Sequence, residues 1–186
     1  MGKRSEFDRV ERDHYPTFDP RAVRALLPHL PFATHFVEPC AAGGVLLDQL
    51  VAAGHVCVEA YDIEPLRADI AQRDALTHRP EGVFDCFITN PPWSRPILHP
   101  LIERLSDIAP TWFLFDADWK HTKQARPYLP RLRRIVSVGR LKWIEESKHD
   151  GKDNCAWFLF GRPQASAALF FGRANDNAHP YQGAVL

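Results

Sequence analysis

Between residues 34 and 160, dense apolar runs alternate with stretches in which apolar residues recur every three or four positions. The first kind reads as buried strand and the second as amphipathic helix. Asp19-Pro20 predicts a helix start, with Asp as cap and Pro in the first turn; Val23, Leu26, Leu27 and Leu30 follow, and Pro28 distorts the end. "THFVEPC" predicts a first strand, Val45 to Ala53 a helix stopped by Gly54, and "HVCVEAYDI" a second strand. A short helix is expected from Pro65, a short third strand in "AQRDAL", and a fourth in "VFDCFIT", whose near-continuous apolar character suits a parallel strand buried on both faces. Ile97 to Ile108 reads as a helix and "TWFLFDADW" as a fifth strand. "RRIVSVGRLKWI" and "NCAWFLFGR" read as an antiparallel pair joined by a polar segment.

This alternation predicts an α/β fold with an open, mostly parallel sheet, helices on both faces and a C-terminal antiparallel hairpin. One domain is expected over residues 15–162. A charged arm covers 1–14, and the tail 163–186 is expected to be partly ordered at best. The 45% hydrophobic and 25% charged content belongs to soluble globular chains. No apolar run would span a bilayer and the start has no signal-like stretch, so a cytoplasmic protein without a membrane partner is expected. Cys40, Cys57, Cys86 and Cys155 form no C-x-x-C pair and read as reduced thiols, and no metal site is assigned.

Charge is balanced overall but unevenly spread. From Trp119 to Ile144 there is no acidic residue, while Lys120, Lys123, Arg126, Arg131 and Arg133 all fall there. Such a run can face a polyanion or be a solvated surface. The composition leaves both open.

In open parallel sheets, ligands sit beyond the carboxyl ends of the strands. After the first predicted strand stands Glu38-Pro39-Cys40-Ala41-Ala42-Gly43-Gly44, after the second Asp62, after the third Asp74-Ala75, and after the fourth Asn90-Pro91-Pro92-Trp93. An acid about 20 residues beyond a glycine loop suits a ribose diol. The chain has no G-x-G-x-x-G and no phosphate loop with Lys, which favours a nucleoside cofactor without phosphates.

These residues carry a resemblance. "NPPW" matches the N-P-P-[YFW] signature, and "VEPCAAGG" is similar to the cofactor loop, of class I S-adenosylmethionine-dependent methyltransferases of the N6-adenine type. The likeness is greatest to the small phage and prophage DNA adenine methyltransferases, over roughly Tyr15 to Arg162. Ala42 stands where that loop has its first Gly. The resemblance implies a Rossmann-like sheet with S-adenosyl-L-methionine as cofactor. Glu38, Ala42 and Gly44 would line the methionine part, Asp62 would hold the ribose, and Asp74 with Ala75 the adenine. "YPTFDPRAVRALL" would close over the cofactor.

The implied reaction is methyl transfer to the exocyclic amine of adenine in DNA. Asn90 and the Pro91 carbonyl would accept the amine hydrogens, Pro91 and Pro92 would hold both acceptors rigid, and Trp93 would give the extruded base a flat face. Lys120, Lys123, Arg126, Arg131 and Arg133 would contact phosphates. A homodimer or a partner protein is an alternative source of sequence specificity. RNA as the adenine substrate, a protein glutamine amide, or a degenerate binding module are the competing expectations.

Overall fold

The computed structural model describes residues 15–165 and 168–173. The elements run α1 (Pro20–Leu26), β1 (His35–Glu38), α2 (Val45–Ala52), β2 (Val56–Asp62), β3 (Ala71–Gln72), β4 (Cys86–Thr89), α3 (Arg95–Ile108), β5 (Thr111–Asp116), β6 (Leu132–Arg140), β7 (Asn154–Phe160) and β8 (Leu169–Phe171). They build one eight-stranded sheet in the order β3-β2-β1-β4-β5-β7-β6-β8. The first five strands are mutually parallel, and β7 runs antiparallel to both β5 and β6. The order turns back at β1 and β4, so their carboxyl ends flank the crevice where such sheets hold ligands.

Alternate residues of the central strands feed two separate cores. Phe36, Ile88, Trp112, Leu114 and Trp157 pack with Ala22, Val23 and Leu26 of α1 and Leu46 and Leu50 of α2. Val37, Phe87, Phe113, Phe115 and Phe158 pack on the other face with Leu98, Leu101, Ile102 and Leu105 of α3. This explains the unbroken apolar runs: a strand covered on both faces needs apolar side chains at every position.

Three expectations change. No helix follows Pro65. The N–H of Leu66 is committed to the Ala42 carbonyl at 2.9 Å, and Arg67 divides its guanidinium between Asp48 and Asp69. β5 stops at Asp116, whose carboxylate accepts the N–H of Asp118 at 2.8 Å and opens a 3-10 segment, Ala117–His121. Trp119, read as part of that strand, instead turns into the α3-side core and donates its indole N–H to His99. The apolar pattern alone does not give β8, which lies in the tail and pairs parallel with β6.

All four cysteines are free thiols. Among the described residues no helix is long and apolar enough to cross a membrane, and no group of three or more His, Cys, Asp or Glu could hold a metal.

Candidate active site

The loop after β1 is laced to the end of β2. Ala41 N–H donates to the Tyr61 carbonyl at 3.0 Å, and Ala42 N–H donates to Asp62 Oδ2 at 2.9 Å. Asp62 Oδ1 accepts the N–H of Glu64 at 2.8 Å. Asp62 is therefore a buried brace between the loop and β2 as well as an acid at a strand end. Ala42 adopts φ 44° and Gly44 φ 75°. The left-handed turn that usually recruits glycine is thus made here by an alanine, at a cost of about 1–2 kcal/mol. A side chain at Gly44 would collide with the guanidinium of Arg67, 2.6 Å away.

Glu38 is 2% exposed, and its Oε2 has no hydrogen-bond partner among the described residues. Burial and then the nearby Asp62 charge push its carboxyl well above the usual carboxylate range, against the pull of the Leu47 N–H. Cys40 lies among the same charges. Burial raises its thiol pKa, and Asp62, Glu38 and Asp74 raise it further. Asp74, just beyond β3, is near enough for its charge to act on the same thiol. Its Oδ1 accepts the N–H of Leu76, and the turn around it is held from α3 by Arg104, which donates to the carbonyls of Ala75, Thr77 and His78. Arg104 is not legible in the sequence, because a lone Arg on a helix carries no signal of the carbonyls it will cap.

At the end of β4, Pro91 is buried and Pro92 half-buried. Asn90 has both ends of its amide engaged. Nδ2 donates to the Tyr15 carbonyl at 3.2 Å and to Thr17 Oγ at 3.0 Å, and Oδ1 accepts the indole N–H of Trp93 at 3.1 Å. A backbone carbonyl can only accept and an indole N–H can only donate, so these two partners decide which end is oxygen. Trp93 is half-buried and touches both cores. Its ring meets Trp143 edge-on, with centroids 5.6 Å apart.

Trp143 comes from the β6–β7 connection, which the structure fastens to α1. Asp19 Oδ2 accepts the N–H of Lys142 at 2.9 Å, and Arg21 bridges Asp19 and Asp150. Burial alone would raise the Asp19 pKa, but the hydrogen bonds from Arg21 and Lys142 outweigh it and hold the carboxyl below its ordinary value. Trp143 falls inside the run expected as a strand up to Ile144; β6 instead stops at Arg140, and the chain from Leu141 leads into the connection.

The basic residues are not gathered. β6 runs parallel to the first five strands, so Leu132 lies at the end of the sheet opposite Asn90 and Arg140 at the same end. Arg131 sits at that far end, paired with Asp107 at 2.6 Å and bonded to Ser106. Arg133 caps the carbonyls of Pro130 and Leu132 and also bonds the Arg162 carbonyl. Arg126 lies beside Pro130, Pro163 and Gln164, also toward the far end. Lys120 is near the site and donates to the Ala117 carbonyl at 2.9 Å; Lys123 is exposed just beyond it. The 3-10 segment Lys123–Arg131 descends the sheet and carries its charges away.

Over most of its length the chain superposes on solved methyltransferases. The fold is the Rossmann-like class I methyltransferase fold. A structure from Listeria monocytogenes, described as a class I S-adenosylmethionine-dependent methyltransferase, superposes with a TM-score of 0.53 at 14% identity, over 89% of this chain and 68% of its own. One from Pyrococcus horikoshii, described as an RNA methyltransferase, gives 0.53 at 12% identity over 78% and 82%. A modification subunit of a type I restriction enzyme from Vibrio vulnificus gives 0.51 at 12% identity, over 92% of this chain but 50% of the subunit. No protein-family model and no curated protein matches the chain.

Proposed function

We propose that the chain is an S-adenosylmethionine-dependent methyltransferase acting on the exocyclic N6 amine of adenine in nucleic acid, with DNA the favoured substrate. The observation that supports this most is the Asn90 amide, rigidly held at the carboxyl end of β4 with its oxygen end fixed toward Trp93. A carbonyl oxygen has two lone pairs, so Oδ1 keeps one acceptor position beyond the indole bond.

The residues fit the cofactor. Glu38 has a buried carboxyl oxygen without a partner among the described residues, which suits a ligand ammonium. Asp62 spends one lone pair of each oxygen on a backbone N–H and keeps others for ribose hydroxyls. Ala42 and Gly44 keep side chains out of the methionine path, and Asp74 with Ala75 lies where the adenine would be read. When bound, the cofactor supplies an electrophilic methyl group.

In the reaction, Asn90 Oδ1 and the Pro91 carbonyl accept the two hydrogens of the target amine. That withdraws its lone pair from ring conjugation and orients it toward the methyl group. The acceptors are fixed before substrate arrives, so no reorganisation is needed at the transition state. As the carbon–nitrogen bond forms, the sulfur–methyl bond of the cofactor would break and leave a neutral thioether; the amine, now cationic and acidic, gives its proton to water. Trp93 and Trp143 present aromatic surface to the extruded base, one by a face and the other by an edge.

Phosphate contacts narrow from five residues to Lys120 and Lys123, joined by Arg95 at the start of α3 and Lys148 in the β6–β7 connection, both exposed. Arg126, Arg131 and Arg133 leave the list because they stand toward the other end of the sheet. The test is to incubate the protein with labelled cofactor and duplex DNA, single-stranded DNA or RNA, then digest to nucleosides. Label on N6-methyladenine supports the reading; label only on other bases, or none, rejects it.

A further inference from the structure

We propose that Thr17 is a positioning residue for methyl transfer: its hydroxyl, with the Tyr15 carbonyl, holds the Asn90 amide in the one orientation that turns its oxygen toward the target amine. This rests on the function proposed above and extends it to a segment whose expected part was to cover the cofactor. An asparagine amide is nearly symmetric in shape, and turning it over would present N–H groups to the target amine, where an acceptor is needed. The Tyr15 carbonyl, which can only accept, prevents this from the Nδ2 side, and the Thr17 hydroxyl adds a second bond there that holds the amide in place.

Thr17 is itself held. It is buried, and its carbonyl accepts Gln49 Nε2 of α2 at 2.6 Å. Two residues later, Asp19 caps α1 and accepts the N–H of Lys142. Residues 15–19 therefore tie together a helix of the cofactor half, the Asn90 side chain and the connection that carries Trp143. Pro16 stiffens the stretch between the two groups that bind Nδ2.

The test compares Thr17→Val, which keeps the branched shape and loses the acceptor, with Thr17→Ser, which keeps the hydroxyl. The chain has four asparagines, Asn90, Asn154, Asn175 and Asn177. Selective 15N-asparagine labelling thus gives four side-chain signals, and Asn90→Ala identifies the one of interest. In Thr17→Val the Asn90 amide protons should exchange faster with solvent by roughly tenfold, as for one lost buried hydrogen bond. The single-turnover transfer rate should fall by a similar factor with KM and cofactor Kd within about twofold, and Thr17→Ser should restore both. In an Asn90→Ala background the Thr17→Val effect on rate should vanish. If Thr17→Val does not fold, Thr17→Ala replaces it in both measurements. Unchanged exchange together with an unchanged rate overturns the proposal, as does an equal loss in the Ser variant. The exchange readout needs no substrate. A protein that methylates no adenine but loosens at Asn90 in Thr17→Val would refute the assigned reaction and leave the positioning intact.

Discussion

The indole N–H of Trp93 donates to the side-chain oxygen of Asn90 at 3.1 Å. The aromatic residue of the N-P-P-W stretch therefore has two attachments, a ring surface against Trp143 and a polar bond to the acceptor. This explains what a Trp can do there that another aromatic residue cannot. It lends a donor to Oδ1 and fixes where the remaining lone pair points.

Trp93→Phe keeps a flat ring and loses that donor. We expect it to retain binding of unpaired substrate and to lose several-fold in transfer rate, in line with one neutral hydrogen bond. Trp93→Ala loses the ring as well and should fall much further on duplex than on unpaired substrate, since the extruded base forfeits about 1–3 kcal/mol of stacking. Rates on paired and unpaired oligonucleotides, taken beside melting temperatures, check this. An equal loss on both substrates, with a large fall in stability, would make Trp93 a core residue only.

Asn90→Asp is a sharper substitution than it looks. A carboxylate there would face the Tyr15 carbonyl, which has no hydrogen to give. Only the protonated acid can donate to it. The variant should be about as slow as Asn90→Ala near pH 8 and regain rate as the pH falls toward about 6, because repulsion raises the carboxyl pKa. A pH–rate profile parallel to that of the unchanged protein would contradict this.

Glu38 carries a stability prediction. Its folded-state pKa is raised well above the ordinary value of 4.5 by burial and by Asp62. Between those two values the folded protein holds a proton that the unfolded chain has released, so stability falls as pH rises through that window. Glu38→Gln imitates the protonated form. Its melting temperature should match that of the parent near pH 5 and exceed it by several degrees near pH 8, without cofactor. Cofactor affinity should fall by tenfold or more, as expected for losing a buried charged partner. A melting-temperature difference independent of pH would show that Glu38 is not the titrating group.

Much of this site is legible in the chain because its residues sit next to strand ends. Glu38, Asp62 and Asn90 each close an apolar run and Asp74 follows the short β3, and a parallel sheet gathers such positions at one edge without further information. The contacts made by Thr17, Asp19, Arg104 and Trp143 are not legible in that way. Thr17 and Asn90 are 73 residues apart and Lys142 and Asp19 are 123, and no periodicity links them. The basic run misleads for a related reason. Adjacency in sequence puts Lys120 and Arg133 together, but a segment descending the sheet between them puts them at opposite ends. The helix expected after Pro65 fails because the Leu66 N–H serves the loop after β1, a long-range demand that local pattern does not reveal.

That separation gives a prediction for nucleic-acid binding. Lys123→Gln and Arg95→Gln should each reduce the slope of log affinity against log salt by about one unit. Arg131→Gln should leave the slope unchanged and lower the melting temperature, because it strips Asp107 and Ser106 of a partner. Binding isotherms over a range of salt concentrations decide this. A flatter slope in Arg131→Gln would return the far end of the sheet to the interface.

One product measurement separates adenine methylation from its competitors. The protein is incubated with methyl-labelled S-adenosylmethionine and a mixture of adenine-containing DNA, RNA and glutamine-containing protein, and each fraction is digested to nucleosides or amino acids. Label is expected on N6-methyladenine, with more in DNA than in RNA, and it should fall by about a hundredfold or more in Asn90→Ala while that variant still binds the cofactor. Label on N-methylglutamine, or label on adenine that survives Asn90→Ala undiminished, would contradict the assigned reaction.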